Sequence, residues 1–134
     1  MGKDINVYFE HKTEKGWEAL KVYTKNGKSY KLAAPYLGRP YDFFDYMRFD
    51  LQNGFPEDAS GTVTKKHQDI GSYSAGCFSY KKLCKLCKKA PKEYRSYFKE
   101  IRACLNVFVD LCDVYFCDRE DKDENLRVVW WLDW

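Results

Sequence analysis

The sequence has few of the residues on which catalysis usually depends. It contains only two histidines, His11 and His67, and neither belongs to a catalytic or metal-binding motif. No nucleophile elbow, phosphate-binding loop or H-E-x-x-H pair is present. His67 lies close in sequence to Asp69, Ser72 and Ser74, a set that allows an acid–base cluster. Because no activated nucleophile accompanies it, we expect a binding protein and not an enzyme.

Long hydrophobic runs are also missing. No apolar stretch approaches the roughly 18 residues that a membrane span needs, and the chain is polar from its third residue. We therefore expect no membrane association and a location in the cytoplasm, where cysteines stay reduced. The 134 residues are expected to form a single domain, 1–134. A chain of this length buries roughly two-thirds of its unfolded surface.

The sequence has no complete metal-binding pattern. Cys84 and Cys87 form a C-x-x-C pair, but a second pair at similar spacing and a nearby histidine are lacking. Their spacing suits the buried face of a short helix, so we favour core cysteines over the alternatives, a zinc site or a redox pair. The acidic run 118–125 lacks the glycine and the distant glutamate of a calcium loop and predicts a connector. No metal and no cofactor are expected.

Alternating apolar and polar residues predict strands at both ends of the chain. Residues 4–10 alternate, and residues 17–24 fit a hairpin partner. The Asn26–Gly27 turn then returns the chain into a third strand over 29–32. Residues 126–134 predict a last strand, which we place beside the first. The predicted fold class is α+β: an antiparallel sheet of about four strands, an N-terminal meander plus the C-terminal strand, covered on one face by two to three helices.

Helices are predicted in the middle of the chain. A short helix is expected over 41–50, another over 79–89 with Ser79 as its N-cap, and a longer one from Pro91 to about residue 117. Residues 54–76 show no periodicity and predict a long loop. Apolar residues recur every three or four positions along the longest helix, as a core face or a seam with another subunit: Tyr94, Phe98, Ile101, Leu105, Phe108, Cys112 and Tyr115.

Charge and aromatic content point to binding surfaces. Residues 81–102 contain nine Lys and Arg against two Glu, although the net charge of the chain is only +3. Such a cluster can bind phosphates, nucleic acid or an acidic protein, or be a solvated helix face. Without a nucleic-acid motif, we do not expect nucleic acid binding. Aromatic residues reach 18%, and together with the apolar stripe they lead us to expect a symmetric homo-oligomer.

Two rigid turns carry the candidate ligand-binding residues. Residues 38–44 and 54–60 both combine Gly and Pro with charged and aromatic side chains. Gly and Pro restrict each turn to one shape, as in a binding rim. The alternative is structural: Asp42 caps a helix, and Arg39 and Asp58 form an ion pair between the turns.

Five short segments resemble a family of small phage-encoded proteins. That family begins M-G-x-D-I-H-x-x-x-E, continues with R-N-Y-x-L-F, a G-L-P-x-D-x-S turn and an S-x-S stretch, and ends in V-R-V-V-F-x-F-D. Here Asn6 stands in place of the first His and Pro40 in place of the Asn, so the role of that histidine does not carry over. The resemblance implies a phage origin. The corresponding segments are 1–10, 39–44, 54–60, 72–74 and 126–133.

By analogy with small phage proteins that act as oligomeric sponges, we expect a counter-defence protein. It would bind and sequester a small nucleotide-derived immune signal without turnover. The alternative is a protein-binding inhibitor of a host defence enzyme or nuclease. For the nucleotide, Arg39 is expected to pair with phosphate and Tyr41 and Trp131 to stack a base. The predicted ligand-binding set is Arg39, Tyr41, Asp42, Glu57, Asp58, Ser60, Ser72, Ser74, Arg127 and Trp131.

Overall fold

The first and last strands lie side by side at the centre of a four-stranded antiparallel sheet. The computed structural model describes residues 4–23, 25–32, 34–70, 74–112 and 114–133. Its strands are β1 (Asp4–Thr13), β2 (Gly16–Ala19), β5 (Ser74–Ser79) and β6 (Leu126–Asp133), in the order β2-β1-β6-β5. The predicted α+β class with a four-stranded antiparallel sheet is confirmed, and so is the position of the last strand beside the first.

The predicted third strand of the meander belongs to a separate small sheet. The hairpin partner of β1 is interrupted at Leu20, and β3 (Lys21–Tyr23) pairs with β4 (Tyr30–Leu32) as a two-stranded sheet. The fourth place in the main sheet goes to β5, part of which lies in the segment predicted to be a loop. β5 pairs with β6, and the side chain of Asn53 hydrogen-bonds both backbone groups of Cys77 along its outer edge.

The helices surround this sheet. They are α1 (Tyr41–Tyr46), followed by a π-helical turn (Met47–Leu51), α2 (Gly61–Ile70), α3 (Tyr80–Lys89), a 3₁₀ turn (Lys92–Tyr94), α4 (Arg95–Leu111) and α5 (Arg119–Asn125). The helix at 79–89 is confirmed, and the Ser79 hydroxyl accepts the backbone N–H of Lys82 as its N-cap. The longest helix ends at Leu111, six residues before the predicted end, and α2 and α5 occupy segments predicted to be loops.

Both faces of the sheet are covered. The larger core lies between the sheet and α1, α3 and α4, and it contains Phe9, Trp130, Leu83 and Ile101. A smaller cluster on the opposite face joins Val129 and Trp131 to α2 and the preceding turn. The sheet is therefore covered by helices on two faces and not on one.

The close fit around Trp130 explains a glycine in β5. A Cβ at Gly76 would lie 2.7 Å from the indole of Trp130, closer than real contacts allow. Trp130 is fully buried, so its ring has no room to move aside.

Within the described residues, none of the helices has both the length and the apolar character to cross a membrane.

Candidate functional site

The predicted ligand-binding residues lie in several separate places, and Arg39 is at the surface. Its Nε donates to Asp4 Oδ1 at 2.9 Å, and this hydrogen bond raises the pKa of the Arg39 side chain. The alternative of an ion pair between Arg39 and Asp58 is wrong, because Asp58 pairs with Arg127 instead. Arg39 is thus compensated by a carboxylate that the sequence reasoning did not assign to it.

Tyr41 and Asp42 line an open groove of about 610 Å³ on the helical side of the protein. The ring of Tyr41 packs edge-on against Phe44, with 5.7 Å between the centroids. Tyr94 and Tyr97 form the opposite wall. Of the predicted residues that the structure describes, no other lines this groove.

Arg127 lies at the centre of a polar network on the other face of the sheet. It is opposite Glu10 in the β1–β6 register, and its Nε and Nη2 both lie 2.8 Å from Glu10 Oε1. Its Nη1 donates to Asp58 Oδ1 at 2.9 Å, and the ring of Trp17 lies 4.0 Å from the guanidinium carbon. The backbone N–H of Ser60 donates to Glu10 Oε2 at 2.7 Å. The structure thus brings together Arg127, Asp58 and Ser60 from the predicted set.

The charges of this network are satisfied internally. The hydrogen bond from Arg127 lowers the pKa of Asp58, so that carboxylate stays ionised at neutral pH. Nearby, burial raises the pKa of the Cys77 thiol to about 11, which keeps it protonated and unreactive. A guanidinium already held by two carboxylates has little charge left for a phosphate. We conclude that the network fastens the 54–60 turn to the sheet.

The remaining predicted residues do not form an open site. Trp131 is fully buried, with Tyr8, Phe55 and His67 packed around its ring at centroid distances of 5.3, 6.0 and 5.2 Å. No face of Trp131 is therefore open to stack a base, which corrects that expectation. Ser74 is buried in β5, Glu57 is exposed, and Ser72 lies outside the described residues. Among the described residues, no group of three or more His, Cys, Asp or Glu side chains is placed to hold a metal ion.

A larger cleft lies between α3, α4 and α5, and we name it the basic cleft. Its volume is about 710 Å³, within the range of sites for small ligands. Four cationic side chains line it: Lys88 on α3, Arg102 on α4, and Arg119 and Lys122 on α5. Its other lining residues are Tyr80, Cys84, Asn106, Val109, Asp110, Val114, Tyr115, Phe116 and Asp118.

Local sequence places these cations on one cleft. Asp118 is the N-cap of α5, and its Oδ1 accepts the backbone N–H of Asp121 at 2.8 Å. This cap starts the short helix at Arg119 and sets Arg119 and Lys122 three residues apart, on one face. Ser79 caps α3 in the same way.

A hydrogen-bonded chain crosses the floor of the basic cleft. Lys122 Nζ and the Tyr80 hydroxyl both donate to Asn106 Oδ1, the latter at 3.3 Å. Burial raises the pKa of Tyr80, so its hydroxyl remains a donor at neutral pH. The ammonium of Lys122 also lies 4.9 Å from the centroid of the Tyr80 ring. Tyr80 and Asn106 therefore hold Lys122 in place without neutralising it.

The charge of the basic cleft is not compensated by ion pairs. Within the described parts of the chain, no carboxylate lies within 4.0 Å of the charged nitrogens of Lys88, Arg102, Arg119 or Lys122. An open aromatic side chain, Tyr115, stands at the rim, with 84% of its surface exposed. Unpaired cations beside an exposed ring form a surface that accepts phosphate and stacks a planar group.

The sequence reasoning noted the basic stretch but missed this cleft. Two of the four cations lie in 118–125, which was predicted to be a connector. The available signal was Asp118, a good N-cap residue followed by the acidic first turn Glu120–Asp121. Glu10 was missed in the other network, although a glutamate in a strand beside Arg127 is a plausible cross-strand partner.

Comparisons with known proteins give no relative from which a site could be transferred. No protein-family model, no curated protein and no solved structure matches this chain.

Proposed function

We propose that this protein binds a small phosphate-bearing nucleotide in the basic cleft and holds it without turnover. The observation that carries the proposal is the convergence of Lys88, Arg102, Arg119 and Lys122 on one cavity without carboxylate partners among the described residues. Four cations that line one cavity attract an anion into the space between them. A ligand with several phosphate oxygens supplies that charge.

Each part of a nucleotide has a counterpart in the basic cleft. The two arginines offer planar forks that suit phosphate oxygens, and the two lysines act as point charges. The exposed ring of Tyr115 supplies a stacking surface for the base. Val109 and Val114 form the apolar part of the wall. The cavity of about 710 Å³ accommodates a ligand of this size.

We propose capture and not turnover because of the groups that line the cavity. No histidine lines the cavity, and of the two carboxylates among its described lining residues, Asp118 is engaged as the cap of α5. Cys84 lies in the wall but is 7% exposed. Together with the motifs that resemble phage proteins, this supports the role of a counter-defence protein that sequesters a nucleotide-derived immune signal of the host.

The test is calorimetric titration with ATP, GTP and a cyclic dinucleotide, with adenosine as the uncharged control. We expect the nucleotides to bind and adenosine not to bind. Lys88→Gln and Arg102→Gln should each weaken binding by about tenfold, because each removes a charge-assisted hydrogen bond. Chromatography of the ligand released from the complex should recover it unchanged.

Lys85→Gln is the matched control. Lys85 is exposed on α3, three residues from Lys88, and does not line the basic cleft. Its substitution removes the same charge from the same helix and should leave affinity unchanged. If Lys85→Gln and Lys88→Gln weaken binding equally, the attraction is general and the cleft assignment is wrong. Absence of binding by every nucleotide would contradict the proposed function.

The second candidate is a protein-binding inhibitor, and an exposed aromatic surface favours it. Phe49 is 73% exposed beside a groove of about 430 Å³ that Tyr46 and Tyr94 also line. Exposed aromatic side chains beside a concave surface are frequent anchors of protein interfaces. Native mass spectrometry after incubation with a lysate of defence-activated cells separates the two functions. A bound mass below about one kilodalton supports capture of a nucleotide, the size class that such a cavity holds, and a bound host protein supports inhibition.

A further inference from the structure

We infer that the basic cleft selects guanine nucleotides through Asn106 and Asp110, an inference that rests on the nucleotide binding proposed above. Both residues line the cavity and are four positions apart on α4, so they share one face of that helix. Side chains at this spacing are neighbours, with Cβ atoms about 5–6 Å apart. They place a hydrogen-bond donor beside an acceptor.

Asn106 acts as a donor toward the cavity because its oxygen is occupied. Lys122 Nζ and the Tyr80 hydroxyl both point at the same atom of the amide. An ammonium group can only donate, so this atom must be the oxygen, and the orientation of the amide follows from its partners. The NH₂ group, with two donors, is then left for a ligand.

Asp110 is unusual in a cleft that binds phosphate. Its carboxylate repels phosphate, and within the described residues it takes part in no ion pair. It also lies in the last turn of α4, where the helix dipole disfavours negative charge. Asp110 is exposed on the wall of the cleft, where a ligand group rich in N–H donors can reach its carboxylate.

Guanine matches this pair better than adenine. Its O6 accepts from the amide of Asn106, while its N1–H and 2-amino group both donate to the carboxylate of Asp110. This arrangement uses two parallel charge-assisted hydrogen bonds, which are the strong ones. Adenine offers the carboxylate one donor, its 6-amino group, and the amide one acceptor, N1. The basic side chains hold the phosphates of either nucleotide, so Asp110 affects the choice of base.

The experiment compares the affinities of GTP, inosine triphosphate and ATP by calorimetry. We expect GTP to bind about tenfold more tightly than ATP, the usual effect of one additional bidentate contact. Inosine triphosphate, which lacks only the 2-amino group, should fall between them. Asp110→Asn should remove the advantage of GTP and leave ATP binding equal or slightly tighter. Glu100→Gln is the control, because Glu100 is exposed on α4 and does not line the cleft.

The outcomes separate this inference from the proposed function. If no nucleotide binds, both are wrong. If GTP and ATP bind equally, or if Asp110→Asn weakens both alike, the cleft binds nucleotides without reading the base and only this inference is overturned. The 2′-deoxynucleotides test the ribose. If loss of the 2′-hydroxyl weakens GTP binding as much as Asp110→Asn does, and weakens ATP binding equally, the carboxylate contacts the ribose and not the base. That result would also overturn the inference.

Discussion

The two ion pairs of Arg127 show that the contribution of an ion pair to stability depends on the burial of the partner. Its two carboxylates lie at nearly equal distances, 2.8 Å for Glu10 and 2.9 Å for Asp58. The side chain of Glu10 is fully buried, whereas that of Asp58 is 67% exposed. Water screens the exposed pair, so its contribution to stability is small. Loss of the buried partner leaves a buried guanidinium with only the solvent-screened carboxylate of Asp58 as its counter-charge.

We therefore predict very different effects for two isosteric substitutions. Glu10→Gln should lower the free energy of unfolding by about 3–5 kcal/mol, the usual effect of removing one member of a buried pair. Asp58→Asn should lower it by about 1 kcal/mol or less. Urea denaturation at neutral pH measures both. Equal losses for the two variants would show that Asp58 and Glu10 contribute alike, contrary to this account.

Residue types were easier to predict than their partners. Arg127, Asp58 and Ser60 were selected from sequence, and the structure places them together around Glu10, which was not selected. The first and last strands were correctly placed side by side, yet the pairing of Glu10 with Arg127 depends on their register. One residue of shift would move Glu10 to the other face. Sequence spacing alone does not set that register.

At the scale of elements, the helices and the strand that the sequence did not predict, α2, α5 and β5, all have weak hydrophobic periodicity. α2 has the sequence GTVTKKHQDI, and Val63 is its one fully buried hydrophobic residue among those described. A single apolar anchor gives no stripe with a 3.6-residue period. β5 is short and contains two Ser and one Gly, which are typical of loops. Both elements are stabilised by their tertiary neighbours, so local propensity does not reveal them.

The attachment of α2 gives a prediction for pH. The ring of His67 is stacked on Phe55 at 4.1 Å and meets Trp131 edge-on. Burial lowers the pKa of His67 below its usual value of 6.5. The unfolded chain therefore takes up a proton at higher pH than the folded chain does. The contribution of His67 to the free energy of unfolding is therefore fully present above about pH 6.5. It is lost as the pH decreases through the lowered pKa of the folded state.

The measurement is the free energy of unfolding between pH 7.5 and 5, compared in the natural chain and His67→Gln. We expect the natural chain to lose stability across this interval and the variant to lose less, because Gln does not titrate. His11, whose pKa is also lowered by burial, accounts for the remaining dependence. His11→Gln in the same experiment tests this assignment. A slope unaffected by either substitution would rule out both histidines as its origin.

At the scale of the whole molecule, the fold class was predictable and the cleft was not. Alternation and turn signals sufficed for an α+β domain with a central antiparallel sheet. The basic cleft, in contrast, is formed where α3, α4 and α5 pack together, and no short stretch of sequence predicts that packing. Helix packing depends on the shapes of distant side chains, which sequence spacing does not give. The basic composition of 81–102 indicated a charged surface without locating its concave part.

The expected homo-oligomer stays a prediction, but its interface must differ from the apolar stripe that led us to expect it. Phe98, Ile101 and Leu105 of the apolar stripe are fully buried in the core of this chain, so they cannot also form a seam. Exposed apolar surface on α4 is instead found at Val107 and Leu111, which are 54% and 62% exposed. Four residues apart, they share one face of the helix. A two-fold axis would bury both copies of this face together.

Sedimentation velocity at micromolar concentration tests this surface. We expect a species of twice the 15.9 kDa mass of the chain. Leu111→Lys should shift it to the single-chain mass, because a lysine buried in the dimer interface would lack a partner. Phe49→Lys is the matched control, since Phe49 is equally apolar and 73% exposed but lies beside α1. It should leave the dimer intact. A natural chain that sediments only at the single-chain mass would disprove the dimer, and a shift by both variants alike would disprove its placement on α4.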